Sequence, residues 1–227
     1  MPERNELLIE IAPTGVIRAA VNMSNAALVQ LDPVTGVLTG PSAQIAIALA
    51  AELGCDLSII RYGSAADILA AANGNEWDVA FIASDPSRAD SFSFSPPYTT
   101  VTASFLVSDS SPLCSVGHVD VEGVRIAAAR TAAYTKQLER QVRNAVVLHT
   151  ENPASALDML ASSQCDAAAG LTESLSRFCE ENPGFRVVDG SFSQVPQAIA
   201  VHRRCVHAST FLSDFIKQHC SAGKPSN

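Results

Sequence analysis

Charge is scarce in this chain of 227 residues, and basic charge is scarcer. Charged residues make up 17%, with 15 Lys and Arg against 23 Asp and Glu, for a formal net charge of −8. Nucleic acid is bound by clustered Lys and Arg that displace counterions. The densest basic run here is Arg203-Arg204, which argues against a nucleic-acid partner. No window approaches the ~18 consecutive apolar residues of a membrane span. A Gly-rich phosphate loop, GxSxG and HExxH are all missing, so the common motif-bearing enzyme classes lack support and no cofactor is expected. The six cysteines, Cys55, Cys114, Cys165, Cys179, Cys205 and Cys220, never form CxxC and read as reduced, mostly buried small hydrophobes. The N-terminus, MPERNELLIEIAPTG, has Glu3, Glu6 and Glu10 where a secretory signal has a basic region and then an apolar one. With Met1 as the natural start the protein is expected in the cytoplasm; with a signal removed, in the periplasm.

Apolar residues are plentiful, at 47%, which marks a globular chain able to bury a sizeable core, as one large domain or two lobes. The pattern alternates. Ile17 to Val21 reads as a strand ending in the polar loop Asn22-Met23-Ser24-Asn25. The sequon in that loop carries weight only in a secretory context. Residues 31–40 have the turn residues of a small hairpin. Pro41 to Leu53 reads as a helix stopped by Gly54, Leu57 to Ile60 as a strand, and Ala65 to Ala72 as a helix capped by Ser64. After the linker Ser108 to Pro112 comes a second β-α-β-α-β run: strand Val124 to Ala129, helix Tyr134 to Arg143, strand Val146 to Leu148, helix from Pro153 through Leu160, and strand Cys165 to Ala169. A helix from Thr172 to Glu180, strands at Phe185 to Val188 and Ala198 to Val201, and a helix from about Ser209 to His219 close the chain. Two such runs predict mostly parallel sheets with short connections.

The stretch from Trp77 to Tyr98, WDVAFIASDPSRADSFSFSPPY, organises the rest. Asp78 to Ala83 is an apolar run of strand length, and Ser84-Asp85-Pro86-Ser87 is a turn and cap cluster. Arg88 is thereby carried just past the strand's C-terminal end, the rim where ligands sit in open α/β sheets.

Here the sequence resembles bacterial extracellular solute-binding proteins of the family 3 type, the polar-amino-acid binders of ABC transporters. The family's LAKALAKELG is matched by IAIALAAELG. Its "DV, strand, TPER, VDFSDPY" block resembles Asp78-Val79, then Asp85-Pro86-Ser87-Arg88, then Phe92 to Tyr98. The resemblance implies an α/β, two-lobed type II periplasmic-binding-protein clamshell with mostly parallel sheets and two interlobe crossovers. Lobe 1 would be 1–107 and 198–227, and lobe 2 would be 108–197. The ligand is expected in an interlobe cleft, held by lobe closure.

By resemblance, Arg88 grips a ligand carboxylate, a task suited to a planar guanidinium. The family's GTT turn is matched by Thr131-Ala132-Ala133, preceded by Arg130, where a helix N-terminus offers N–H donors. The final aspartate of the family's DAVVxD strand, which binds the ligand ammonium, is matched by Leu171. The hydroxyl residues that accompany the arginine are replaced by Phe81 and Ala83. These departures point to a small carboxylate that is not a typical α-amino acid.

Each residue also has a plainer reading. For Arg88 it is a structural pairing with Asp85 or Asp90 on its own loop, against which the matched block favours the ligand role. Asn22, Ser24 and Asn25 either contact ligand or turn the chain, and Arg130 and Thr131 are balanced in the same way. Tyr134 is assigned to packing. Glu173 is a helix-start acid favoured by the macrodipole, and becomes a candidate general acid or base only if it faces the cleft. His202, Cys205 and His207 carry ligand-type side chains, but on an extended segment they do not share one face, and no metal is assigned. Two functions follow: a binding protein for a small organic anion, partnered by an ABC permease if secreted, or a cytoplasmic enzyme on the same fold, in the manner of cyclohexadienyl dehydratase.

Overall fold

The structure, a computed structural model, describes residues 4–220. The Met1 to Glu3 part of the leader reading, and residues 221–227 of the expected first lobe, lie outside the described residues. In chain order the elements are α1 (Arg4–Ile11), β1 (Val16–Asn22), β2 (Gln30–Leu31), β3 (Leu38–Thr39), α2 (Pro41–Leu53), β4 (Asp56–Tyr62), α3 (Ala65–Ala71), β5 (Val79–Ala83), β6 (Phe92–Phe94) and β7 (Thr99–Ser108). There follow β8 (Arg125–Ala129), α4 (Thr135–Gln141), β9 (Val146–Thr150), α5 (Pro153–Ala161), β10 (Ala167–Leu171), α6 (Thr172–Glu181), β11 (Phe185–Val187), β12 (Ser193–His202) and α7 (Val206–Cys220).

The chain divides into two compact units. Among the described residues, the first comprises 4–23, 28–100 and 196–220; the second comprises 24–27 and 101–195. Both divisions fall inside strands, β7 and β12, which continue unbroken across them.

In the first unit β1 lies between β4 and β5, parallel to both, and β12 pairs antiparallel with β5 and with β6. On one face, Ala20, Ala80, Ile82 and Ala200 pack with Ile68 of α3, Trp77 and Phe92. Elsewhere in this unit Phe81 meets Tyr98 edge-on at 5.8 Å, and the Tyr98 hydroxyl bonds Ser42 of α2 at 2.9 Å. Helix α2 follows its end signals: Pro41 occupies the first turn, and Gly54 (φ 62°) accepts the left-handed C-cap conformation. The sequence reading assigns no element to Arg4–Ile11. The helix there packs against α7, and Glu10 accepts the Ala208 N–H in the first turn of α7 at 2.8 Å.

The second unit repeats the plan. Strand β8 lies between β9 and β10, parallel to both, and β7 pairs antiparallel with β10 and β11. Leu106, Ala127, Ala168, Leu160 and Leu175 form its core.

A forked ion pair recurs at the same place in both units. Arg18, early in β1, donates to Asp78 from its backbone N (2.9 Å), Nε (3.0 Å) and Nη2 (2.7 Å), and from Nη1 to the Asn75 carbonyl (2.8 Å). Arg125, at the start of β8, donates to Asp166 from its backbone N (2.8 Å), Nε (3.0 Å) and Nη2 (3.0 Å), and from Nη2 to the Ser163 carbonyl (3.4 Å). Among the described residues, Asn75 and Ser163 are the two non-glycine residues with positive φ, at 53° and 58°. Each clamp ties one strand start to the loop entering the neighbouring strand.

The clamps differ in solvent. The Asp78 side chain is 4% exposed and the Asp166 side chain 39%. Hydrogen bonding from Arg125 holds the Asp166 carboxyl below its ordinary range. Its contribution is therefore complete above the unfolded value near about pH 4 and fades as pH falls through the lower folded value. In urea unfolding, Asp78→Ala, which removes a buried carboxylate and the acceptor of three Arg18 donors, should cost roughly 2–4 kcal/mol, and Asp166→Ala about 1 kcal/mol or less. Equal costs would show that solvent does not grade the two clamps.

Candidate functional site

The first unit presents its candidate site at the C-terminal ends of β1 and β5. Strand β5 is apolar on both faces and buried throughout, so the first polar groups it offers come where it ends. Ser84 N–H bonds the Pro196 carbonyl at 2.9 Å, which fixes the departure of the loop. Asp85 is then extended, and its Oδ1 caps the Ser87 N–H at 2.9 Å. Pro86 supplies the first-turn residue of a single 3₁₀ turn, Pro86–Arg88.

That turn folds Arg88 back over the strand end. Its Nη1 donates to the Ala83 carbonyl at 3.1 Å, and its Nε lies 4.0 Å from Asp85 Oδ2. The Arg88 and Asp85 side chains are 9% and 14% exposed. Burial lowers the Arg88 pKa and the Asp85 carboxylate opposes that shift; an arginine keeps its charge regardless. A buried, oriented guanidinium at a strand rim is suited to forked bonding with a carboxylate.

The other expected residues are distributed as follows. Phe81 and Ala83 lie on β5, 1% and 8% exposed. Asn22 is the half-buried last residue of β1, whose preceding residue Val21 is in register with Phe81. Ser24 and Asn25 belong to the second unit. The Ser24 carbonyl accepts from Ser174 Oγ at 2.9 Å, and the Ala26 N–H donates to Ser174 Oγ at 3.4 Å. Asn25 is 3% exposed and its Oδ1 is buried without a hydrogen-bond partner.

In the second unit, Arg130 and Thr131 follow β8 and are exposed. The Arg130 N–H bonds the Thr150 carbonyl at 2.9 Å. The helix expected from Tyr134 to Arg143 is shorter, Thr135–Gln141. Thr135 Oγ1 bonds the Ala129 carbonyl at 2.7 Å, which ties the helix start to the strand end. At its other end Asp120 gathers the N–H groups of Arg143, Asn144 and Ala145, which ends the helix early. Tyr134 is buried as expected, with its hydroxyl on the Ala169 carbonyl at 3.2 Å and its pKa pushed up by burial. Leu171 ends β10 half-buried, and Glu173 is exposed in the first turn of α6.

His202, Cys205 and His207 turn to different neighbours. His202 stacks on Trp77 at 5.0 Å, with burial lowering its pKa. Cys205 Sγ contacts the Glu10 carbonyl at 3.8 Å, and His207 Nδ1 lies 3.7 Å from Glu6. Among the described residues no group of three or more His, Cys, Asp or Glu is placed to hold a metal ion, and no helix is long and apolar enough to cross a membrane. The six cysteines are unpaired: Cys165 and Cys205 are buried, Cys55, Cys179 and Cys220 half-buried, and Cys114 exposed. A cavity of about 500 Å³ bounded by Arg125, Asp166, Cys165 and Leu160 lies at the N-terminal strand edge of the second unit, opposite its rim.

Two α/β units, joined by strands that run through both and carrying polar loops at their C-terminal strand ends, define the type II periplasmic-binding-protein class of fold. The chain belongs to the bacterial extracellular solute-binding proteins, family 3, whose family model matches residues 17–146. It is 29% identical over 140 residues to the virulence sensor protein BvgS of Bordetella pertussis, covering 61% of this chain and 11% of that protein, so it spans about a tenth of that relative. The VFT2 domain of BvgS, as a double mutant, superposes with TM-score 0.77 at 23% identity, covering 96% of this chain and 93% of that one. Holo ArgBP from T. maritima gives 0.78 at 17% identity, covering 95% and 94%. The ancestral amino-acid-binding protein AncCDT-1, a precursor of cyclohexadienyl dehydratase, gives 0.75 at 22%, covering 93% and 92%. At these identities the structural likenesses establish the fold.

Phe81 separates packing from recognition. Phe81→Ser, which restores a hydroxyl near the rim, should cost about 3–5 kcal/mol in urea unfolding, because the ring fills a closed space against Tyr98. A cost below about 1 kcal/mol would mean that the ring is not packed in the core.

Proposed function

We propose that this chain binds a small organic anion, a carboxylate that is not a typical α-amino acid, with Arg88 as its anchor. The observation that carries this reading is the Arg88 guanidinium itself, 9% exposed and braced on the Ala83 carbonyl at a strand rim. Charge-assisted bonds made where water is scarce are the strong ones. Leu171 at the end of β10 supports the second half of the reading, since an aliphatic side chain offers nothing to an ammonium group. Arg130 and Thr131, exposed after β8, are further candidate anion contacts, and Asn22, Ser24 and Asn25 candidate polar ones.

The same ligand reading fits two settings. Structural neighbours include a substrate-binding protein of an amino-acid ABC transporter, and a permease partner follows if this chain is secreted. BvgS is named a sensor, and in that setting the chain would be the ligand-binding part of a larger protein. Turnover is the alternative outcome, with Glu173 as the candidate acid or base; its exposure in α6 favours binding.

A thermal-shift screen of aromatic, keto and dicarboxylic acids, with mass spectrometry of each hit, tests both. Stabilisation with the ligand recovered unchanged is expected, and a new product would move the chain to the enzyme reading. Arg88→Ala should remove the stabilisation by the best ligand, with at least tenfold weaker binding, the loss of about 1.4 kcal/mol or more. Stabilisation that survives the substitution would overturn the site.

A further inference from the structure

The two forked clamps stand in matching frames. Asn75 and Ser163, the positive-φ pair, each lie three residues before the clamp aspartate, and Trp77 and Cys165 one residue before it. Ala80 and Ala168, two residues after the aspartates, pair antiparallel with Ala200 of β12 and Leu106 of β7. Two residues further on, His202 and Ser108 end those strands, and each pairs with a phenylalanine, Phe92 of β6 and Phe185 of β11. Trp77 therefore corresponds to Cys165, and His202 to Ser108.

The chemistry of the two frames parts there. In the first unit the Trp77 indole and the His202 imidazole stack, with centroids 5.0 Å apart and planes 15° from parallel. Trp77 is fully buried, and the neighbouring Asp78 side chain is 4% exposed. In the second unit Cys165 and Ser108 bring no rings to the matching place. They line the cavity of about 500 Å³ together with Leu113, Leu160 and the Arg125–Asp166 clamp, and the Asp166 side chain is 39% exposed.

We propose that this cavity is a second ligand site, which takes a neutral planar aromatic molecule of indole size where the first unit keeps its own two rings. The inference does not depend on the Arg88 reading. The volume falls within the roughly 300–1,000 Å³ of small-molecule pockets. Leu113, Leu160 and buried Cys165 supply apolar contact. Among the described residues Asp166 Oδ1 accepts one donor, Arg125 Nη2 at 3.0 Å. A carboxylate oxygen has room for a second, so a ring N–H finds an acceptor. The Arg125 side chain is 42% exposed, and a guanidinium stacks favourably on an aromatic face. The clamp holds a cation and an anion 3.0 Å apart, so an ionic ligand meets a like charge whichever sign it carries. Neutral rings are selected for that reason.

Indole is the probe, since it carries the ring and the N–H without a charge. In amide correlation NMR spectra of the full chain, indole should move the signals of Arg125, Ser163 and Cys165 and leave that of Ala83 in place, with half-saturation at about 1 mM or below. Cys165→Trp combined with Ser108→His builds the rings of the first unit into the second and should weaken indole binding at least about tenfold. If that variant does not fold, Ser108→His alone, at a half-buried strand end, makes the same comparison. Indole-3-carboxylate, which adds an anion, should move the three signals less than indole does at equal concentration. Signals that stay still at about ten times the expected half-saturation, shifts centred on Ala83, undiminished indole binding by a folded variant, or equal shifts from indole-3-carboxylate would each overturn the inference.

Discussion

The forked Arg–Asp clamp is the constraint on which each unit depends. Asp78 receives three donors from Arg18 and returns its own N–H to the Arg18 carbonyl at 2.9 Å. This fixes where β5 begins beside β1, and the register Ala19 to Val79, Ala20 to Ala80, Val21 to Phe81 follows. In a parallel pair, a start fixed at one edge fixes the end at the other. Asn22 and Ala83 therefore finish at the same rim, and the turn after Ala83 delivers Arg88 there. The Arg125–Asp166 clamp does the same for β8 and β10, with Asp166 N–H on the Arg125 carbonyl at 2.9 Å. Stability is thus placed at one edge of each sheet and polar chemistry at the other, the division expected of α/β sheets.

Much of this plan was legible because its signals are local. Helix α2 runs from Pro41 to Leu53 as its proline and glycine indicate, and the pair β2–β3 lies where turn residues predict a hairpin. Elements that depend on distant partners were harder to read. Helix α1 lacks a clear apolar stripe and is held by α7. Helix α4 ends early because Asp120, more than twenty residues upstream, binds the backbone that follows it. Strand β12 begins at Ser193, several residues before Ala198, because Pro196 interrupts the strand pattern while its carbonyl still bonds Ser84. The sheet division inside β7 has no sequence mark, since a continuous strand shows no break.

The rim arginine was legible for the same reason as α2: a cap, a proline and a basic residue in four positions specify one tight turn. Ser174 was not, because a serine early in a helix looks like many others until its hydroxyl meets the Ser24 carbonyl. Asp85 was visible as part of the cap cluster and as a competing partner for Arg88. The geometry adds that it caps Ser87 and faces Arg88 at once.

In the proposed reading, the buried rim arginine of this solute-binding family member anchors a ligand carboxylate. The claim comes down to one side chain, and the arginine Nε–H resonances in NMR report on it directly. On titration with a carboxylate that stabilises the protein, the Arg88 Nε–H signal, assigned by its loss in Arg88→Lys, should show the largest shift among the arginines. A saturating ligand that leaves the Arg88 signal in place while moving that of Arg130 or another arginine would contradict the account.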